Sequence, residues 1–214
     1  ASGVTFGPLE EGGTYEWTAT VYGDPWTRFM GLKSLPKVYL EDDLVVSAGR
    51  EVVICSSLVV PIGRSLSFAP GTTVKFAQGG SLEVYGKCMA AGVTFEPLDE
   101  GGTYAVDSLS GPNSDSGIFG DLSTCFRGTE SKPIVQLSEA GLSPDAMDIV
   151  IRENLLVQLG KTLTFARGAS VKVADGVTIK LWGDCKAEGV VFSPLEEGSS
   201  YVISLGDEKP VVYG

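Results

Sequence analysis

The chain has 214 residues, with 27 acidic against 16 basic side chains, a net charge of -11 and no histidine. Such a negative balance counts against nucleic acid and against insertion into or docking on an anionic membrane, both of which need clustered cations. Without histidine, neither a Ser/His/Asp nor a Cys/His nucleophile system can be assembled.

Taken in chain order, the opening ASGVTFGPLEEGGTY closes on a corner that recurs as PLDEGG at Pro97 and PLEEGS at Pro194, each followed by a tyrosine (Tyr15, Tyr104, Tyr201). The opening repeats the stretch ending at Tyr104, and the closing KPVVYG resembles KPIVQL at Lys132 to Leu137. The expectation is a piece of a longer tandem array that begins and ends in mid-unit, with strand-like ends that carry no cap. From each tyrosine to the next alignable proline (Pro36, Pro133, Pro210) the separations are 21, 29 and 9 residues. Length changes confined to one place predict inserted loops, at 17–35 and 106–132. The first carries Trp17, Tyr22, Trp26 and Phe29, unusually aromatic for a loop and a candidate lateral or glycan contact, unless it folds back over its own flank. The second is rich in Ser, Gly and Asp, with Ile118, Phe119 and Phe126 as anchors. Within SEAGLSPDAM, Ser143 as N-cap and Pro144 at the first helical position predict a helical turn.

The stretch Leu58 to Tyr104 returns at Leu155 to Tyr201 at a constant offset of 97, with 22 of 47 positions identical, which marks an internal duplication. Apolar residues alternate in short bursts: Leu66 and Phe68, Val74 and Phe76, Leu82 and Val84, then Leu163 and Phe165, Val171 and Val173, Ile179 and Leu181. An i, i+2 spacing puts each pair on one face of a strand. Glycine-rich corners separate the bursts, so such short strands close a core only if successive turns of chain stack on one another. The predicted fold is therefore all-β, a parallel β-helix (solenoid) of tandem repeats of about 90–97 residues with a variable inserted loop. One continuous rod over 1–214 is expected: 1–15 ends a preceding repeat, 16–104 is repeat one, 105–201 repeat two, and 202–214 begins a following one. The expected core is Leu66, Phe68, Val74, Phe76, Cys88, Phe95, Leu163, Phe165, Val171, Cys185 and Phe192.

The phrase G-(R/K)-(S/T)-L-(S/T)-F-A-x-G-x-x-V-K, followed by a strand, a glycine and A-x-G-V-x-F, resembles the coil consensus of right-handed parallel β-helix proteins over about half of the chain. Bacterial surface adhesins and passenger domains, phage tailspikes and polysaccharide lyases share that consensus, so the resemblance implies a fold more than a function. It also implies an extracellular or cell-surface location. The lyases of this fold need aspartates around calcium with a Lys or Arg base on one strand face; Lys75 and Lys172 point outward with no nearby run of such aspartates, so no enzyme is expected.

No P-loop, dinucleotide-binding glycine motif, zinc-spaced cysteine pair or EF-hand loop is present. The acidic pairs Glu10-Glu11, Asp99-Glu100 and Glu196-Glu197 sit at glycine corners, where they read as solvated turn charge or, at most, weak calcium ligands. No cofactor is expected. Cys88 and Cys185 share the inward parity and read as buried thiols, while a bridge between Cys55 and Cys125 has no support from sequence. Tyr85 and Trp182 hold equivalent outward positions, free to stack on sugars or on a neighbouring protein, or else covered by a flanking loop. The functional expectation is a non-enzymatic extracellular structural or adhesive repeat, a rod or fibre segment that associates end to end with identical or adjacent units. The alternative is a glycan-binding or glycan-cleaving β-helix.

Overall fold

A computed structural model describes the chain except residues 1, 2, 18, 33, 34, 112, 113, 130, 138–145, 207–211 and 214. Ser143 and Pro144, and with them the expected helical turn, lie outside the described residues. Among the described residues there is no helix, only short strands. An amino-terminal group comprises β1 (Thr5–Phe6), β2 (Val21–Gly23) and β3 (Arg28–Phe29). Three-strand turns follow: β4 (Lys37–Leu40), β5 (Leu44–Val46) and β6 (Val52–Ile54); β7 (Ser57–Val60), β8 (Ser65–Phe68) and β9 (Thr73–Phe76); β10 (Ser81–Val84), β11 (Lys87–Met89) and β12 (Thr94–Pro97); β13 (Ala105–Ser108), β14 (Gly117–Gly120) and β15 (Cys125–Phe126). The chain continues through β16 (Ile134–Leu137), β17 (Asp148–Ile151), β18 (Asn154–Val157), β19 (Thr162–Thr164), β20 (Ser170–Val173), β21 (Thr178–Leu181), β22 (Asp184–Lys186), β23 (Val191–Pro194), β24 (Val202–Leu205) and β25 (Val212–Tyr213).

Strands pair in parallel with those one turn away, and the result is a β-solenoid of about eight turns. A first-face sheet runs β2-β4-β7-β10-β13, a third-face sheet β6-β9-β12-β15, and between them in chain order lies a long sheet, β5-β8-β11-β14-β16-β18-β21-β24. The second copy adds β17-β20-β23 and β19-β22-β25, and β1 pairs with β3. Alternation along each strand sends one residue in two into the interior. Along the long sheet the register aligns Leu66, Cys88, Ile118, Val135, Leu155 and Ile179 into one buried column that crosses from the first copy into the second. Rings fill the widest part: Phe95 stacks on Phe126 at 4.6 Å, and Phe76 on Tyr104 at 4.2 Å. Corners turn within one or two residues, which at Gly71 (φ 80°) and its equivalent Gly168 (φ 77°) takes the left-handed backbone that favours glycine.

The two copies do not lie in phase. At the offset of 97, β7, β8 and β9 correspond to β18, β19 and β20, yet β7 belongs to the first-face sheet and β18 to the long sheet that holds β8. Four ladder steps lead from β8 through β11, β14 and β16 to β18, and β7 lies one face before β8. One repeat is thus four turns plus one face, and every equivalent strand sits one face further round. Where the phase slips, β14–β16 is the strand ladder among the described residues that joins β1–β15 to β16–β25. There the Phe126 N–H, at the edge of the third-face sheet, donates to the Glu153 carboxylate at 2.8 Å. Burial, partly offset by that bond and by Arg152, raises the Glu153 pKa above its ordinary value.

The expected insertions are corrected here. Neither 17–35 nor 106–132 is a protruding loop: β2 and β3 lie in the first, and β13, β14 and β15 overlap or lie in the second, all paired within the stack. The reason is legible afterwards, because VYGDPWTRFMG (21–31) and IFGDLSTCFRG (118–128) align at the same offset of 97. Only the spacer before them varies, and it hides the match. In the second copy that spacer folds over the outside of the long sheet, where the Ser114 and Ser116 carbonyls accept from the side-chain amides of Gln158 and Gln136, both at 2.7 Å.

Candidate functional site

The aromatic residues predicted as one exposed contact are distributed among three environments. Phe29 is buried and Trp17 packs against the core. Phe6 stacks on Phe29 at 5.0 Å and lies 5.0 Å from Trp17, so the three rings pack together in the interior of this turn. That corrects the reading of Trp17 and Phe29 as surface contacts. They point inward because the segment is a turn of the solenoid, whose alternate residues face the core.

Trp26 stands at a corner, half-buried. Its indole N–H donates to the Glu51 carbonyl at 3.1 Å, and the Arg50 guanidinium lies 4.2 Å over the ring. Tyr22 remains 64% exposed on the outer side of the first-face sheet, 6.1 Å ring to ring from Tyr39, a residue the sequence reading did not single out. Strand register continues that row through Val59 to Glu83. Glu83 accepts from Lys37 Nζ at 2.7 Å and from the Tyr85 hydroxyl at 3.1 Å. These bonds with Glu83 raise the pKa of both Lys37 and Tyr85. A shallow cleft of about 320 Å³ opens beside Tyr22, walled by Glu41, Pro61, Ile62 and Arg64. Trp182 is half-buried, with Gly206 laid so closely against its indole that a Cβ there would meet ring carbon at 2.9 Å. Tyr85 and Trp182, equivalent in sequence, thus differ in surroundings.

The acidic corner pairs Glu10-Glu11, Asp99-Glu100 and Glu196-Glu197 are exposed on tight turns closed by backbone bonds such as Gly102 N–H to the Asp99 carbonyl at 3.0 Å. Among the described residues no three acidic or cysteine side chains converge as a metal site would require. All four cysteines are free. Burial pushes the Cys88 thiol up to about 12 and Cys185 to about 11, so neither is a nucleophile near neutral pH. Lys75 lies outward beside Glu96, and Lys172 is exposed.

Sequence reasoning missed the G-D-x-x-T motif at Gly23–Thr27 and Gly120–Thr124. In both copies the threonine Oγ1 accepts the aspartate N–H, at 3.2 and 3.1 Å. In both, the carboxylate reaches one turn back to accept a glycine N–H, Gly3 to Asp24 and Gly92 to Asp121, each at 3.1 Å. The preceding glycine has no room for a side chain, since a Cβ at Gly23 or Gly120 would collide with the threonine hydroxyl. The motif therefore bolts one turn of the solenoid to the turn before it.

The carboxy-terminal end is built differently from the amino-terminal one. Phe192 is only half-buried, and Ile203 and Leu205 are 40% and 58% exposed, although all three lie in inward register over Val171, Ile179 and Leu181. The residues 97 positions before Phe192 and Ile203, Phe95 and Val106, are 0% and 1% exposed. Compared with known proteins, the chain matches no protein-family model, no curated protein and no solved structure.

Proposed function

We propose that the chain is a non-enzymatic structural repeat, a rod segment of an extracellular or cell-surface spacer, stalk or fibre whose turns stack end to end on identical or adjacent units. The observation that carries this reading is the exposure of interior-register residues at β24: Ile203 and Leu205 continue the buried columns of the solenoid and are 40% and 58% exposed. Apolar interior residues next to unpaired strand edges favour association. Sedimentation and electron microscopy of the chain over a range of concentrations test it. Association that is abolished by Ile203→Asp with Leu205→Asp is expected, and a monomer at millimolar concentration would overturn the reading.

A second reading, glycan binding, is favoured by the Tyr22–Tyr39 pair beside its cleft, since exposed rings flanked by Glu and Arg suit a sugar's apolar face and hydroxyls. Binding on a glycan array that disappears with Tyr22→Ala would support it; the absence of any hit would remove it.

A further inference from the structure

The motif A-x-G-V-x-F-x-P-L-(E/D)-E-G-x-x-Y occurs three times, ending at Tyr15, Tyr104 and Tyr201. The first two occurrences are covered in the same way by a G-D-x-x-T-x-F segment. Arg28 N–H donates to the Val4 carbonyl at 2.9 Å and Met30 N–H to Phe6 at 2.8 Å; Cys125 N–H donates to Val93 at 3.0 Å and Arg127 N–H to Phe95 at 2.8 Å. In each pair the aspartate takes the N–H of the glycine before that valine, and phenylalanine stacks on phenylalanine, Phe29 on Phe6 and Phe126 on Phe95. Two independent instances thus define one recognition pattern: two ladder bonds, a carboxylate on a glycine N–H, and a ring on a ring.

Among the described residues the third occurrence is not covered in this way. Phe192 keeps its partner from the preceding turn, Phe165 at 5.4 Å, but among the described residues no ring covers its other side. None of them donates to the Val190 or Phe192 carbonyl or accepts from Gly189 N–H, the groups equivalent to those engaged twice before. The sequence explains the vacancy. Only 9 residues separate Tyr201 from Pro210, against 21 and 29 in the other spacers, and they contain no G-D-x-x-T-x-F segment. The chain instead goes on to β25, which pairs directly with β22, as its equivalent β16 would pair with β11 if β14 were removed.

We infer that Gly189–Phe192, the edge strand β23 of its sheet, is an acceptor for a G-D-x-x-T-x-F strand supplied by a further repeat unit of this kind. The strand adds to the β17-β20-β23 sheet by backbone pairing, its aspartate seats on the Gly189 N–H, and its phenylalanine covers Phe192. This deepens the end-to-end reading by naming the edge and the segment, and rests on that reading only for its biological setting. The chain's own two such segments are already engaged, with 1–15 and with 90–104, so they are not free to dock a second copy without being displaced.

The test is titration of the full chain with a fluorescein-labelled peptide of residues 21–31, read by anisotropy, with hydrogen exchange to locate it. Saturable one-to-one binding is expected, with new protection confined to 189–194. Asp24→Ala and Phe29→Ala peptides should each bind at least about tenfold more weakly, the scale of one charge-assisted hydrogen bond or one buried ring. Phe192→Asp in the chain should abolish binding; if that variant does not fold, the peptide series on the parent chain still decides. No saturation at millimolar peptide, equal binding by the altered peptides, or protection elsewhere would overturn the inference. If the chain assembles and the peptide neither binds nor competes, the acceptor falls and the rod reading stands. If the peptide binds and the chain stays monomeric, the acceptor stands and the rod reading falls.

Discussion

Phe68 and Phe165 are equivalent residues that share one fate: both are buried, and each meets edge-on a phenylalanine of the next turn, Phe95 at 5.9 Å and Phe192 at 5.4 Å. A solenoid interior has no loop that can collapse into a void, because its walls are held at the spacing of the strand ladders. Phe68→Ala should therefore cost roughly 3 to 5 kcal/mol in chemical denaturation. Phe165→Ala should cost less, since its partner Phe192 is itself partly open to water. Lys75→Ala, on the outside of the same stack, should stay within about 0.5 kcal/mol. Equal costs at Phe68 and Phe165 would contradict the claim that the carboxy-terminal end is less covered. At this scale the sequence was transparent where alternation ruled, as at Leu66, Val74, Phe76 and Cys88, all of which are buried. It was opaque at Phe29, because alternation over a two-residue strand is too short to read. It was opaque also at Phe192, whose inward parity is right but whose covering turn no single residue can reveal.

Among the elements, the G-D-x-x-T turn is the one whose sequence carried a message that went unread. Five of eleven positions match between 21–31 and 118–128 (two glycines, Asp, Thr and Phe), but a spacer of variable length separates that match from the long duplication. Asp121 accepts from the N–H groups of Gly92, Ser123 and Thr124 at 3.1, 2.9 and 3.1 Å. Burial alone would raise its pKa; the hydrogen bonds from Ser123, Gly92 and Thr124 outweigh that and hold it below the ordinary 3.8. Asp121→Ala strips an acceptor from three backbone donors and should cost roughly 2 kcal/mol at neutral pH. Because the folded-state pKa is depressed, that contribution is complete above about pH 4 and is lost as pH falls through the lowered value. The gap between parent and variant in urea midpoint should thus close on acidification. A gap that persists unchanged to pH 2 would mean that Asp121 acts through shape and not through its charge.

For the whole molecule, the duplication foretold a rod but not its phase. Identical offsets suggest identical faces, whereas the slip of one face per repeat depends on how many strands the spacers 105–116 and 129–133 contribute, which only the ladder pairing reveals. The slip has an energetic consequence. Solenoid stability is close to a sum of turns and nearest-neighbour interfaces, so cooperativity is transmitted turn by turn. Each turn from β4 to β15 is coupled to the next through three sheets, and across the slip the described residues supply the β14–β16 ladder and the bond from Phe126 N–H to Glu153. The junction also holds the Glu153 carboxylate, which burial disfavours in its charged form. Val106 is 1% exposed, whereas its equivalent Ile203 and the nearby Leu205 are 40% and 58% exposed. A buried carboxylate at the slip and a less covered interior beyond it predict that residues 148–205 open as a unit before 37–126 do. Native-state hydrogen exchange at increasing urea measures this directly. Amides of β18, β20 and β21 should converge on a common opening free energy below that of β7, β9 and β10. Occupying the β23 edge with the 21–31 peptide should narrow the difference, because it buries the face from which opening begins. If both sets merge into one global opening at all urea concentrations, the regions on either side of the slip form one cooperative unit and the predicted order of opening is wrong.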